Sequence, residues 1–116
     1  MPPDRDRVRL GHILEHAREA IRLLEGRTRA DLDTERVLSL ALVRLLEIVG
    51  EAVAKVSPEA RTRYPGVPWP EIVSLRNRLI HGYDSVDFDI LWRIVESDLP
   101  ALVQELSADP NLRDAR

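Results

Sequence analysis

The chain has 116 residues, enough for one domain with a single modest hydrophobic core. Its formal net charge of -3 argues against a nucleic-acid binder with an overall basic surface, so any RNA contact must come from a local arginine cluster. The absence of cysteine excludes a disulfide framework and thiol chemistry. With no signal peptide and no apolar run long enough to cross a bilayer, we expect a cytoplasmic protein without membrane contact.

Aliphatic residues recur at helical spacing and aromatic residues make up only 4%, which predicts an all-α fold. The first helix is expected from about Val8 to Glu25, ended by Gly26. Its core stripe consists of Leu10, Leu14, Ala17, Ile21 and Leu24. His12 and His16 are four residues apart on the other face, but no third ligand is evident and zinc takes three or four. We therefore predict two solvated histidines and no metal site.

The second helix is predicted from about Thr34 to Val56, with Asp33 as its N-cap. One apolar stripe runs along it: Leu38, Leu42, Leu45, Val49, Ala52 and Val56. Three further apolar residues lie off that stripe: Leu40, Val43 and Leu46. A helix that is apolar on two sides is buried on two sides, either against a second subunit or centrally among the other helices. The sequence leaves both possibilities open.

Ser57 is expected to cap a short helical turn that begins at Pro58 and continues to Arg63. Arg61 and Arg63 alternate here with Tyr64 and, after a stiff loop, Trp69, a pattern that suits single-stranded RNA through charge and stacking. For Trp69 we favour a hydrophobic staple at the start of the next helix, and we expect weak RNA contact from Arg61 and Arg63.

The third helix is predicted over about 70–81, because Pro70 suits a first helical position and Gly82 a C-terminal exit. Its apolar residues surround Arg76, which we expect to be half-buried and to need a carboxylate or a substrate phosphate as partner. Glu47 or Glu51 could supply the carboxylate. The alternative is that these two pair within their own helix, with Arg44 and Lys55.

The fourth helix is predicted from Asp87, as N-cap, to about Leu106, with a kink at Pro100. Residues 107–116 are polar, and we expect a frayed tail after a core of about 8–106. The whole chain, 1–116, is then a single domain.

The segment from Arg76 to Tyr83 carries a cation, an amide, an imidazole and a phenol within about two helical turns. It resembles the Arg-x4-His-x-Tyr motif of the HepT-like toxins, a branch of the HEPN superfamily. Three further blocks are similar to the same family in the same order: residues 46–52 (LEIVGEA), 67–69 (VPW) and 98–100 (DLP). The resemblance covers roughly residues 8–106.

This resemblance implies a HEPN-type four-helix bundle with a short extra helical turn, acting as a homodimer. It implies the toxin of a type VII-like toxin–antitoxin system, a metal-independent endoribonuclease without a cofactor, with Arg76 and His81 as catalytic residues. Asn77, Glu47 and Glu51 are expected to support them, and Arg78 to contact RNA weakly. By the same resemblance, an MNT-type nucleotidyltransferase antitoxin transfers AMP to Tyr83.

Chemistry independently favours a dimer, because RNA cleavage needs an acid and a base whereas one chain supplies one histidine in the motif. The alternative function is a catalytically silent module that binds a nucleotide or a protein partner, which the acidic net charge favours slightly.

Overall fold

The computed structural model describes residues 5–79 and 86–113, except for the side chains of Arg76 and Arg113. Within these ranges the chain is all-α, as predicted, and contains no strand. Its elements are α1 (Arg5–Leu23), α2 (Asp31–Thr34), α3 (Arg36–Ala54), α4 (Pro58–Thr62), α5 (Trp69–Val73), α6 (Leu75–Leu79), α7 (Phe88–Arg93), a π-helical turn (Ile94–Asp98), α8 (Leu99–Ser107) and α9 (Pro110–Arg113). None of the helices in these ranges is long and apolar enough to cross a bilayer.

The core lies where α1 packs against α3 on one side and α8 on the other. The stripe predicted for the first helix is buried at Leu10, Leu14, Ala17 and Leu24, with Ile21 partly buried against it. After α1 the backbone turns at Gly26, whose φ of 74° lies in the left-handed region that glycine adopts without a Cβ penalty. The end predicted for this helix is therefore confirmed.

The predicted start of the second helix was wrong. Asp33 lies inside α2 and forms an ion pair with Arg29 (2.9 Å), whereas α3 begins at Arg36 after an extended Glu35. The carboxylate of Asp31 accepts a hydrogen bond from the Thr28 amide (2.8 Å), which starts a separate short helical turn before α3. The sequence indicated a good capping residue at this position, but it did not predict the extra helical turn before α3.

The three off-stripe residues of α3 differ in burial. Leu46 is fully buried and Val43 is partly buried against the core of the same chain. Leu40 remains 54% exposed, and Val37, one turn earlier, is 81% exposed. The outer face of α3 thus keeps an apolar surface that the described part of the chain does not cover.

The third predicted helix is not continuous. It is divided into α5 and α6 at Ser74, where ψ is close to zero and the hydroxyl donates to the Glu71 carbonyl oxygen (2.8 Å). Serine competes in this way with the regular helical hydrogen bonds. The helix end predicted at His81 and Gly82 lies outside the described residues.

Asp87 caps α7 as predicted, accepting hydrogen bonds from the amides of Asp89 (2.9 Å) and Ile90 (3.3 Å). The disturbance expected at Pro100 takes the form of the π-helical turn, in which the Leu99 amide donates to Ile94, five residues back. Pro100 has no N–H to donate and its ring would crowd the carbonyl group four residues earlier, so a wider turn precedes it.

The expectation of a frayed tail was wrong for residues 107–113. Asp109 accepts a hydrogen bond from the Asn111 amide (2.9 Å) at the start of α9, which packs on α1 and α8. Leu112 is only 3% exposed. The burial of Leu112 and the hydrogen bond between Tyr64 and Asp109 connect this turn to the core, and neither could be derived from local periodicity.

Candidate functional site

The motif begins on α6, which contains Arg76 and Asn77. The described residues do not include the side chain of Arg76, nor any part of His81 and Tyr83. The predicted half-burial of Arg76, its carboxylate partner and its relation to the histidine therefore stay predictions. The structure does establish which residues surround α6 and which contacts they make.

A cleft of about 400 Å³ lies between α3 and the α5–α6 pair. Its walls include Gly50, Glu51, Ala54, Lys55, Val73 and Asn77. Two of the predicted supporting residues, Asn77 and Glu51, are thus brought to the same cleft, and both are exposed. Gly50 is buried at the wall of this cleft and has no side chain to fill the space.

Glu47 lies one turn before Glu51 and forms a loose ion pair with Arg44 (3.8 Å). This is the intrahelical pairing that the sequence left as an alternative for Glu47. Arg44 is 66% exposed on its side chain, so the pair contributes little to stability.

Arg78 is engaged within the fold. Its Nη1 donates to a carboxylate oxygen of Asp98 (3.2 Å) and to the carbonyl oxygen of Glu71 (3.2 Å). The side chains of Arg78 and Asp98 are 24% and 16% exposed. The pair joins α6 to the π-helical turn, a contact that sequence reasoning missed although both residues lie in segments that resemble the family.

The interleaved cations and aromatics form a structural cluster. The indole N–H of Trp69 donates to the carbonyl oxygens of Tyr64 (3.0 Å) and Arg61 (3.1 Å), and the residue is only 9% exposed. Trp69 is therefore a core residue at the first position of α5, and its ring is not open for base stacking. The staple favoured from the sequence stays a prediction. The guanidinium of Arg61 lies 5.9 Å from the Trp69 ring centroid and donates to the Val53 carbonyl oxygen (3.0 Å).

Arg63 is exposed, near two carboxylates whose pKa it helps to lower. Hydrogen bonds from Ser57 hold the pKa of Asp6 below its usual value, with a smaller contribution from the Arg63 charge. The hydroxyl of Tyr64 donates to Asp109 (2.6 Å) and is the main reason why the pKa of that carboxyl group is lowered. RNA contact by Arg61 and Arg63 remains a prediction.

The two histidines of α1 are linked along the helix, since Nδ1 of His16 lies 2.7 Å from the carbonyl oxygen of His12. Among residues 5–79 and 86–113, no group of three or more histidine, aspartate or glutamate side chains is placed to hold a metal ion.

Comparison with models of protein families assigns this domain to a family. The model described as "Ribonuclease HepT-like" matches residues 13–108, from the middle of α1 to the residue after α8, and spans the motif. The chain belongs to the HepT-like family.

Several HepT-like relatives match over most of their own length. "Probable ribonuclease HepT" of Thermococcus cleftensis is 38% identical over 93 residues, covering 77% of this chain and 84% of the relative. "Putative RNase MJ1380" of Methanocaldococcus jannaschii is 37% identical over 94 residues, covering 81% of this chain and 86% of the relative. "Putative RNase TTE0752" of Caldanaerobacter subterraneus subsp. tengcongensis is 37% identical over 97 residues, covering 84% of this chain and 87% of the relative. No solved structure matches this chain. The family resemblance drawn from the motif is thus confirmed.

Proposed function

We propose that this HepT-like chain is a metal-independent endoribonuclease of the toxin type, with a site formed by Arg76 and His81 of two subunits. The observation that carries the proposal is the family match across residues 13–108, which includes the complete Arg76…His81…Tyr83 spacing. The relatives named as ribonucleases are similar over more than four-fifths of their own length, which supports the same activity here.

The proposed chemistry needs no group that the chain lacks. One His81 takes the proton of the ribose 2′-hydroxyl, whose oxygen attacks the adjacent phosphorus. The second His81 gives a proton to the departing 5′-oxygen, so the products are a 2′,3′-cyclic phosphate and a 5′-hydroxyl. Arg76 stabilises the additional negative charge on the phosphorane by paired hydrogen bonds. Asn77, exposed at the cleft, orients the imidazole or holds a phosphate oxygen.

The homodimer follows from this requirement for an acid and a base. A twofold contact brings the same patch of both chains together, and with it two copies of the motif. The exposed apolar residues of α3, Leu40 and Val37, support a contact through this helix. Glu51, on the last turn of α3, and Lys55, the residue after this helix, border the cleft that contains Asn77. Such a contact would therefore lie on the helix that also borders the candidate site.

We extend the proposal to regulation. Tyr83 is the acceptor of AMP from a nucleotidyltransferase antitoxin: the phenol oxygen attacks the α-phosphorus of ATP and pyrophosphate departs. The modified residue carries bulk and a negative charge seven residues after Arg76, within the same motif, which would oppose RNA binding. Intact mass of the protein produced with and without its antitoxin tests this step, and the expected gain is one AMP for each modified Tyr83.

The nuclease proposal is tested with unmodified protein and a labelled RNA in the presence of EDTA. His81→Ala and Arg76→Ala should each lower cleavage by at least about a hundredfold while the far-ultraviolet circular dichroism stays helical. His12→Ala and Arg93→Ala are matched controls, because both side chains are exposed on other helices, and they should keep full activity. Cleavage that survives in both motif variants contradicts the proposed site.

A catalytically silent binding module is the second candidate, favoured by the net charge of -3, which works against binding of a polyanion. Wild-type protein that binds a nucleotide but leaves RNA intact under the same conditions would support this candidate over the nuclease.

A further inference from the structure

The ion pair between Arg78 and Asp98 connects the motif helix to the only π-helical turn in the described part of the chain. Arg78 donates from one nitrogen to Asp98 (3.2 Å) and to the Glu71 carbonyl oxygen (3.2 Å), so it contacts α5 as well as the π-helical turn. Both charged side chains are less than one quarter exposed. A pair withdrawn from water to this extent is poorly placed to exchange its partner for a phosphate on a flexible strand.

The position of Arg78 on α6 agrees with an inward role. Leu75 and Leu79 are 0% and 1% exposed, and Arg78 lies three residues after the first and one before the second. Residues at i, i+3 and i+4 share one face of a helix, so Arg78 lies at the edge of the face that packs on the core. Asn77, by contrast, is exposed and borders the cleft.

The π-helical turn supplies the other half of the contact. Ile94 and Leu99 are both fully buried although they are five residues apart, a spacing that an ideal α-helix would place about 140° apart. The wider turn allows both to face the core, and Asp98, its last residue, meets Arg78. Single π turns of this kind frequently occur at functional sites.

We propose that Arg78 and Asp98 are positioning residues of the nuclease site, which fix α6, and with it the backbone of Arg76, against the π-helical turn between α7 and α8. This inference rests on the proposed function and changes the role expected for Arg78, from an RNA contact to a residue that acts through the motif helix. Asp98 gains a role that its sequence position did not indicate.

The two roles predict different kinetics. A positioning pair behaves as one unit: Arg78→Met and Asp98→Asn each lower kcat about tenfold to a hundredfold, leave KM nearly unchanged, and together cost no more than either alone. If Arg78 contacts RNA instead, Arg78→Met should raise KM and lower the slope of log KM against log salt concentration by about one. Asp98→Asn should then leave kcat and KM unchanged. Arg78→Lys keeps the charge and should recover part of kcat.

The experiment measures kcat, KM and the salt dependence of KM on a labelled RNA for the wild type, both single variants, the double variant and Arg78→Lys. Arg93→Met is the matched control, because it removes an exposed arginine from the end of α7 and should leave kcat unchanged. Should Arg78→Met fail to fold, the nearly isosteric Asp98→Asn gives the same distinction. An unchanged kcat in Asp98→Asn overturns the inference.

Hydrogen exchange of the α6 amides separates this inference from the nuclease proposal. If the wild type cleaves no RNA, the proposed function fails, whereas the positioning role predicts faster exchange over residues 75–79 in both single variants. Exchange that is unchanged in both variants would refute the positioning role whether or not RNA is cleaved.

Discussion

Leu40→Asp is the perturbation that most directly tests whether the outer face of α3 forms the subunit contact. Leu40 is 54% exposed in the single chain, so a dimer interface could bury at most about half of its surface in addition. Full burial of a leucine is worth about 1.5–3 kcal/mol, and half of that is about 1 kcal/mol per subunit. Because a twofold interface contains the residue twice, truncation to alanine should cost the dimer about 2 kcal/mol, or roughly thirtyfold in Kd.

Aspartate should weaken the dimer further than alanine, since each copy would place a carboxylate in an apolar contact without a partner. Folding of the monomer should change little, because Leu40 is exposed there already. Sedimentation equilibrium measures the dimer Kd, and RNA cleavage over the same concentration range should fall as the dimer dissociates. Cleavage that is independent of concentration in a monomeric variant would refute a shared site.

Val8→Asp provides the matched control. Val8 is 43% exposed on α1, so the same substitution places the same charge at a similarly exposed apolar position on a different helix. It should leave the dimer Kd within about twofold of the wild type. If Leu40→Asp and Val8→Asp give the same wild-type Kd, α3 is not the interface and the reasoning from its uncovered face fails.

Two further predictions concern stability. Tyr64→Phe removes the hydrogen bond that lowers the pKa of Asp109 below 3.8. The stabilisation from this bond is present above pH 3.8 and is lost as the pH falls through the lowered pKa. The variant should therefore lose about 1–2 kcal/mol of unfolding free energy at pH 7 and show a weaker acid dependence in urea unfolding. An acid dependence identical to the wild type would contradict this. Gly26→Ala should lower the unfolding free energy by about 1 kcal/mol, seen as a lower Tm, because of the positive φ alone, since nothing lies within 4 Å of the added Cβ. Asparagine tolerates this conformation better, so Gly26→Asn should lower the Tm less.

Local patterns in the sequence predicted what depends on neighbours along the chain. The Ser57 cap is an example: its hydroxyl accepts the Ala60 amide (3.1 Å) at the start of α4, as expected from Ser-Pro-Glu. The Asp87 cap and the chain turn at Gly26 follow the same logic. The family assignment was also local in origin, since it came from short blocks in a fixed order, and the comparison confirmed it.

The errors arose where a competing local turn, or a contact between distant residues, overrode the simplest local preference. Asp33 is a good cap by type, yet the turn begun by Asp31 moved the helix start to Arg36. Leu112 lies in a polar segment, but burial against α1 and α8 makes the tail part of the core.

By itself, the sequence determined the all-α class, the helix faces and the motif that identifies the family, because helical periodicity and short motifs are properties of adjacent residues. Only the tertiary structure decided that Leu46 is covered while Leu40 is not, that Trp69 is a core residue, and that Arg78 pairs with Asp98, twenty residues away. The physical reason is that burial and ion pairing depend on which helices meet, and that depends on the packing of the whole chain.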